Sequence, residues 1–240
     1  MNLISIKSPN YSKKARNKDK IRFLIIHYTG MQSMRASVKR LTNPKHKVSC
    51  HYLIDRNGKI FQMVEDNKIA WHAGKSRWQK LKNLNKNSIG IELVNRGHEF
   101  GYQKFPRKQI NTLIKLSAKL KRKYKIKNRF ILAHSDIAPL RKSDPGEKFP
   151  WSELRKRKIG MWYSLNKKSS SSKRFDAKNI RNIFFKNLYK IGYRYFNKNK
   201  SSKTDKLIVR SFQRRFRQKR VNGKIDLECL KISSNLAKDN

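Results

Sequence analysis

The sequence predicts an α/β (α+β) protein: a central mixed β-sheet flanked by helices, followed by a small all-α unit of three helices. Three observations carry that expectation. Short unbroken apolar runs (IRFLIIH, SIGIELV and FILA, beginning at Ile21, Ser88 and Phe130) have the length and composition of buried strands. Between the last two lies an amphipathic stretch, Pro106 to Lys125. Its apolar residues Ile110, Leu113, Ile114, Leu116, Leu120 and Tyr124 mostly follow helical spacing, with cations opposite. After the Ser/Lys-rich NKKSSSSK at 166–173, the pattern becomes wholly helical.

Taken in order, residues 1–20 are polar and basic and read as a surface arm. The strand from Ile21 ends in a histidine, His27. Beyond YTGM, Ser33 suits a helix N-cap, with Ala36, Val38 and Leu41 as a weak apolar face. His51 to Val64 alternates on either side of Asn57-Gly58, the signature of a tight hairpin turn. WHAG, at Trp71 to Gly74, reads as a loop, and the polar WQKLKNLNKN after it has no defined pattern. Ser88 to Val94 is a buried strand carrying one charge, Glu92. From His134 to Trp151 the chain holds Pro139, Pro145 and Gly146, which predicts a fixed irregular path without regular helix or ladder strand. Residues 1–165 thus form one domain, 166–173 a flexible linker and 174–240 a second domain. That second domain has three amphipathic patterns: Ile180 to Ile191 stopped at Gly192, Leu207 to Phe216, and Leu227 to Leu236 after the turn VNGKID.

Apolar residues make up 37 % of the chain and fall in periodic runs, so it folds rather than staying disordered. Charge is the outlier: 61 Lys+Arg against 15 Asp+Glu, a formal balance of +46. Such an excess raises a nucleic-acid reading, because clustered cations displace counterions from phosphate. The distribution argues against it. Residues 1–165 carry 39 basic and 10 acidic side chains and residues 166–240 carry 22 and 5, so the excess is not gathered in one arm. A general attraction to anionic polymers is the safer expectation, with no specific nucleic-acid partner. The two cysteines, Cys50 and Cys229, fall in different domains and offer neither a disulfide framework nor a CxxC zinc spacing. No stretch reaches transmembrane length. The N-terminal segment lacks the apolar core and small-residue site of a secretory signal. A monomer is the expectation.

Two histidines, His27 and His134, each terminate an apolar strand, and Asp144 lies on the proline-fixed loop. Neutral imidazoles with a carboxylate suit Zn2+, and three protein ligands leave a fourth position open. One histidine alone at a sheet edge is more often a satisfied polar group; both strand ends together with the Asp loop remove that preference. Glu92 sits between apolar neighbours that point to the opposite face. A buried carboxylate needs a partner or a task, and burial raises its pKa toward that of a general base; a salt bridge to one of the many lysines is the alternative. Lys142, two residues before Asp144, could stabilise an oxyanion, against the default of a solvated lysine. His51 and His72 could line the cleft, and Trp71, Trp78 and Trp151 could offer flat faces to a sugar, although core packing explains an aromatic more often. His46 and His98 read as surface or structural.

Six blocks in order carry a resemblance: SPNY at Ser8, LIIHYTGM at Leu24, VSCHYLIDRNGKI at Val48, WHAG at Trp71, SIGIELVNRGHEFGYQKFP at Ser88 and HSDIAPLRKSDPGEKFPW at His134. Over residues 8–162 the chain resembles the zinc-dependent N-acetylmuramoyl-L-alanine amidases of AmpD/AmiD type, related in fold to peptidoglycan recognition proteins. The resemblance implies a mixed sheet with a zinc cleft, His27, His134 and Asp144 as ligands, Glu92 as base and Lys142 as electrostatic partner. It implies peptidoglycan or muropeptides as substrate and hydrolysis of the bond between N-acetylmuramic acid and L-alanine. LIVRSFQRRFR and VNGKIDLECL are similar to a three-helix peptidoglycan-binding domain, with some expected glycines absent. That likeness points to the two-domain, AmiD-like branch and to the cell envelope, whereas the missing leader pattern points to the cytoplasm.

Overall fold

The computed structural model describes residues 2–165 and 177–238, so the Ser/Lys segment 166–173 lies outside the described residues. In chain order the strands are β1 (Leu3–Ser5), β2 (Tyr11–Ser12), β3 (Phe23–Tyr28), β4 (Tyr52–Ile54), β5 (Ile60–Gln62), β6 (Ile69–Ala70), β7 (Arg77–Trp78), β8 (Leu81–Lys82), β9 (Ser88–Leu93) and β10 (Ile131–Ala133). The helices are α1 (Met34–Thr42), α2 (Arg107–Lys123), α3 (His134–Ile137), α4 (Trp151–Lys156), α5 (Ala177–Ile191), α6 (Asp205–Phe216) and α7 (Leu227–Lys238).

The main sheet is mixed, ordered β1-β5-β4-β9-β3-β10. Strands β4, β9, β3 and β10 run parallel, whereas β5 is antiparallel to β4. Parallel strands covered on both faces need continuous apolar runs, and β9 is buried along its whole length, as is β3 except at Tyr28. The register sets His27 directly opposite Glu92, and Ala133 opposite Ile26. His134, the next residue, therefore starts beside His27. Three neighbouring parallel strands thus deliver chemistry-bearing residues to one carboxyl edge, where open α/β sheets form their crevices.

Local chemistry explains the elements that match expectation. Ser33 caps α1, its side chain accepting from the Ala36 amide. Gly58 takes a positive φ of 88° in the β4–β5 turn, a conformation an L side chain resists. Gln109, buried on α2, donates to the carbonyls of Ile54 and Val94, pinning that helix to the ends of β4 and β9.

Three expectations need correction. Residues 2–20 are more than a surface arm: β1, though exposed, extends the main sheet through β5, β2 pairs with β6, and Ser8, Asn10 and Arg16 are buried. Their side chains satisfy carbonyls of Leu41, Asn43, Val48, Asp66 and Ser88, a demand invisible in a polar sequence. The stretch after Trp78 is the β7–β8 hairpin and a 3-10 turn, Leu84–Asn87, anchored by fully buried Leu84. The stretch from His134 is not wholly irregular, because its first four residues form α3; the Asp136 carboxylate caps that turn by accepting from the Ala133 amide.

The three C-terminal helices appear where the periodicity placed them, but their core is not their own. Phe184, Tyr193, Ile208, Phe212 and Phe216 belong to the same apolar cluster as Phe23, Trp78, Ile131 and Trp151. Trp78 and Trp151 are core residues and offer no face to a ligand. Among the described residues no helix is long and apolar enough to cross a membrane.

Candidate active site

His27, the penultimate residue of β3, and His134, the first of α3, face each other with their Nδ1 atoms 3.0 Å apart. Each Nδ1 lies 3.1 Å from Oδ2 of Asp144. Asp144 is brought in by the loop returning from α3, where the Ser135 amide donates to the Asp144 carbonyl. All three side chains are buried.

The outward nitrogens show which ring atoms are free. Nε2 of His27 is 3.0 Å from Nδ1 of His72, and Nε2 of His72 is 3.2 Å from the Ser88 hydroxyl, which itself donates to the Leu84 carbonyl. Read from that terminal acceptor backward, His72 donates through Nε2 and accepts at Nδ1, so His27 carries its proton on Nε2. Nε2 of His134 lies 3.2 Å from the Ala73 carbonyl and carries its proton for the same reason. Both Nδ1 atoms therefore present bare lone pairs to each other and to a carboxylate. That donor set fits a cation: two neutral imidazoles and one carboxylate oxygen, all within 4.8 Å of one another. Burial and the neighbouring His134 lower the His27 pKa to about 4, keeping it neutral. Burial alone would push the Asp144 carboxyl up, but His134 and His27 more than offset this and hold it far below the usual range.

Glu92 and Lys142 line the same cleft of about 310 Å³ with His134 and Asp144. Glu92 shares the sheet face of His27, its direct partner in register. Its Oε2 is buried without a hydrogen-bond partner among the described residues. Burial, reinforced by the charge of Asp144 and opposed by Lys142, raises its pKa to about 8. Lys142 is exposed on the cleft wall, its amide tied to the Ala138 carbonyl.

The remaining sequence candidates divide. His72 reaches the cleft but its ring nitrogens are spent on His27 and Ser88. His51 is fully buried and outside the cleft wall; it accepts from the Gly90 amide and donates to the Lys68 carbonyl. Trp71 donates to the Ser12 hydroxyl and does not border the cleft. Conversely, His98, read as surface or structural, borders the cleft mouth. It stacks on Tyr102 at 4.4 Å and bonds Tyr28 and Glu147. Arg141 was missed too: it donates to the carbonyls of Ala73 and Lys75. Backbone acceptors such as Ala73 leave no mark in a sequence, and no pattern could have found them.

Comparison with known proteins gives the family. Residues 17–147 match the family described as Amidase_2, N-acetylmuramoyl-L-alanine amidase. The chain is 34 % identical over 235 residues to N-acetylmuramoyl-L-alanine amidase AmiD of Escherichia coli, covering 90 % of this chain and 82 % of that one. It is 35 % identical over 164 residues to the 1,6-anhydro-N-acetylmuramyl-L-alanine amidase AmpD of Haemophilus influenzae, covering 61 % and 86 %. The solved structure of E. coli AmiD with its anhydro-muropeptide substrate superposes with a TM-score of 0.80 at 31 % identity, covering 96 % of this chain and 93 % of that one. AmpDh3 of Pseudomonas aeruginosa superposes at 0.79 with 30 % identity and 98 % coverage of both chains. With a family match across more than half its length and a relative aligned along nearly all of it, this chain belongs to the N-acetylmuramoyl-L-alanine amidases.

Proposed function

We propose that the chain hydrolyses the amide between the lactyl group of N-acetylmuramic acid and L-alanine, with Zn2+ held by His27, His134 and Asp144. The observation that carries the reading is the meeting of two imidazole Nδ1 atoms and one carboxylate beside Glu92, whose buried Oε2 has no hydrogen-bond partner among the described residues. When bound, the metal supplies Lewis acidity, polarising the scissile carbonyl and making water a nucleophile near neutral pH.

The chain's own residues do the rest. The outward hydrogen bonds to His72 and Ala73 fix both imidazole rings, so neither ligand needs to reorient when the metal enters. Glu92 takes the proton of the attacking water and returns it to the departing L-alanine amine. Burial moves this carboxyl up from the ordinary carboxylate range, toward that of a group able to take the proton and give it back. The Lys142 ammonium, on the cleft wall, steadies the oxyanion that develops as the carbonyl becomes tetrahedral. Two relatives were solved with anhydro-muropeptides, and the proposal takes such muropeptides as substrate, with intact wall as the competing candidate.

The test is mass analysis of products from anhydro-muropeptides and from sacculi, run beside zinc content. Release of free peptide with one zinc per chain supports the reading; zinc-loaded protein that releases none contradicts it. Glu92→Gln should retain zinc and lose turnover.

A further inference from the structure

The segment that carries His134 and leads to Asp144 is held from outside by the C-terminal helices. Asp136, two residues after His134, is wholly buried. Its Oδ1 accepts from the Tyr193 hydroxyl at 2.6 Å, and its Oδ2 pairs with the Arg215 guanidinium and accepts from the Ala133 amide. Arg215 also donates to the Ile131 carbonyl at 2.9 Å, so one guanidinium spans β10 and α3. Its plane is fixed by packing over the Trp151 ring, 4.2 Å from the centroid. One turn earlier on α6, Ser211 donates to the Ser135 carbonyl at 2.8 Å, while the Ser135 amide holds the Asp144 carbonyl.

The same helical unit braces the loop that orients the histidines. The Gly192 carbonyl accepts from the Gln79 amide at 2.8 Å, and Tyr193 packs edge-on against Trp78 at 4.9 Å. Gly192 must lack a side chain here, because a Cβ would sit 2.4 Å from the Trp78 indole. Trp78 stands just after the segment whose His72 and Ala73 accept from His27 and His134. Contacts from α6 and the end of α5 therefore bear on both sides of the metal-binding group.

We infer that Arg215 and Tyr193, with Ser211, are positioning residues for the metal site: they set α3 so that His134 and Asp144 meet His27. The C-terminal helices are then part of the amidase's working architecture and not only an appended wall-binding module. The inference rests on the reading of His27, His134 and Asp144 as metal ligands. The physical reason is local. A one-turn helix has too few internal hydrogen bonds to hold its own orientation, and buried Asp136 must find its partners on another element. Outer contacts of this kind govern metal affinity by holding ligands in place.

The test uses the full chain with Tyr193→Phe, Ser211→Ala, Arg215→Met and Arg215→Lys. Three readouts serve: zinc affinity by chelator competition, the visible spectrum of the Co2+-substituted protein, and kcat and KM separately. Thermal melts identify variants that fold. The expected result is zinc affinity weakened about tenfold or more in Tyr193→Phe and Arg215→Met. Shifted cobalt bands, a lower kcat at unchanged KM and partial recovery in Arg215→Lys should accompany it. If Arg215→Met does not fold, the two single-hydroxyl deletions decide. Folded variants with parental zinc affinity and an unmoved cobalt spectrum overturn the inference. A parent chain that binds neither metal overturns the metal-site reading beneath it.

Discussion

Nε2 of His27 donates to Nδ1 of His72 across 3.0 Å, so a buried, uncharged histidine determines which nitrogen of His27 faces His134 and Asp144. Burial and the nearby His27 and His51 hold His72 well below its ordinary pKa, which keeps Nδ1 available as an acceptor. Replacing His72 with Phe should weaken zinc binding about 10- to 100-fold, a range typical of outer-shell partners. Zinc titration against a competing chelator checks this; parental affinity in a folded variant would count against the tautomer assignment.

Gly90 offers an independent probe of the same contact. A Cβ built there lies 2.3 Å from the His72 ring, closer than atoms can approach. Gly90→Ala should therefore displace His72 and reproduce the zinc defect of His72→Phe without touching a ligand. A crystal structure and a zinc titration of the variant would show whether ring displacement and lost affinity go together.

The raised pKa of Glu92 makes two pH statements. Its folded value, about 8, lies above the ordinary 4.5, so in metal-free protein it binds a proton more tightly folded than unfolded. Stability from this group is complete below pH 4.5 and is lost as pH rises through 8. Metal-free Glu92→Gln should then match the parent in stability at pH 4 and exceed it at pH 9. Urea melts at both values check the sign.

In the zinc-loaded enzyme the cation draws that pKa down. The acid limb of kcat/KM, where Glu92 must ionise to act as base, should therefore have its midpoint below 8. A pH–rate profile from pH 4 to 9 gives the answer directly, and an acid-limb midpoint above 8 would count against Glu92 in the role.

Lys142→Met removes an exposed charge from the cleft wall and no buried contact of its side chain. Losing one oxyanion partner costs roughly 10²- to 10³-fold in kcat, with zinc content and melting temperature unchanged. Steady-state kinetics beside metal analysis would separate this from a loss of zinc.

Much of this was legible in the sequence because it depends on short-range pattern. The runs at Ile21, Ser88 and Phe130 are apolar enough to be buried strands, and the histidines and Glu92 sit at or near their ends. The six family-like blocks then pointed to the cleft and its chemistry. What stayed hidden depends on partners distant in the chain. Asn10 and Arg16 are polar, and only the carbonyls they satisfy make them core residues. His51 and His72 look alike in sequence, yet one bonds the Gly90 amide and the Arg16 guanidinium while the other meets His27. The helices after residue 176 were visible as three amphipathic stripes. That Arg215 on one of them would meet Asp136 could not be read from either residue, because charge in a lysine-rich chain is normally solvated.

The central claim is that one metal ion sits among His27, His134 and Asp144. Anomalous diffraction at the zinc edge, from crystals of the zinc-loaded protein, tests it most directly. The account expects a single strong peak at about 2.0–2.2 Å from His27 Nδ1, His134 Nδ1 and an Asp144 oxygen. A peak elsewhere, or none in protein that cleaves its substrate, would contradict it.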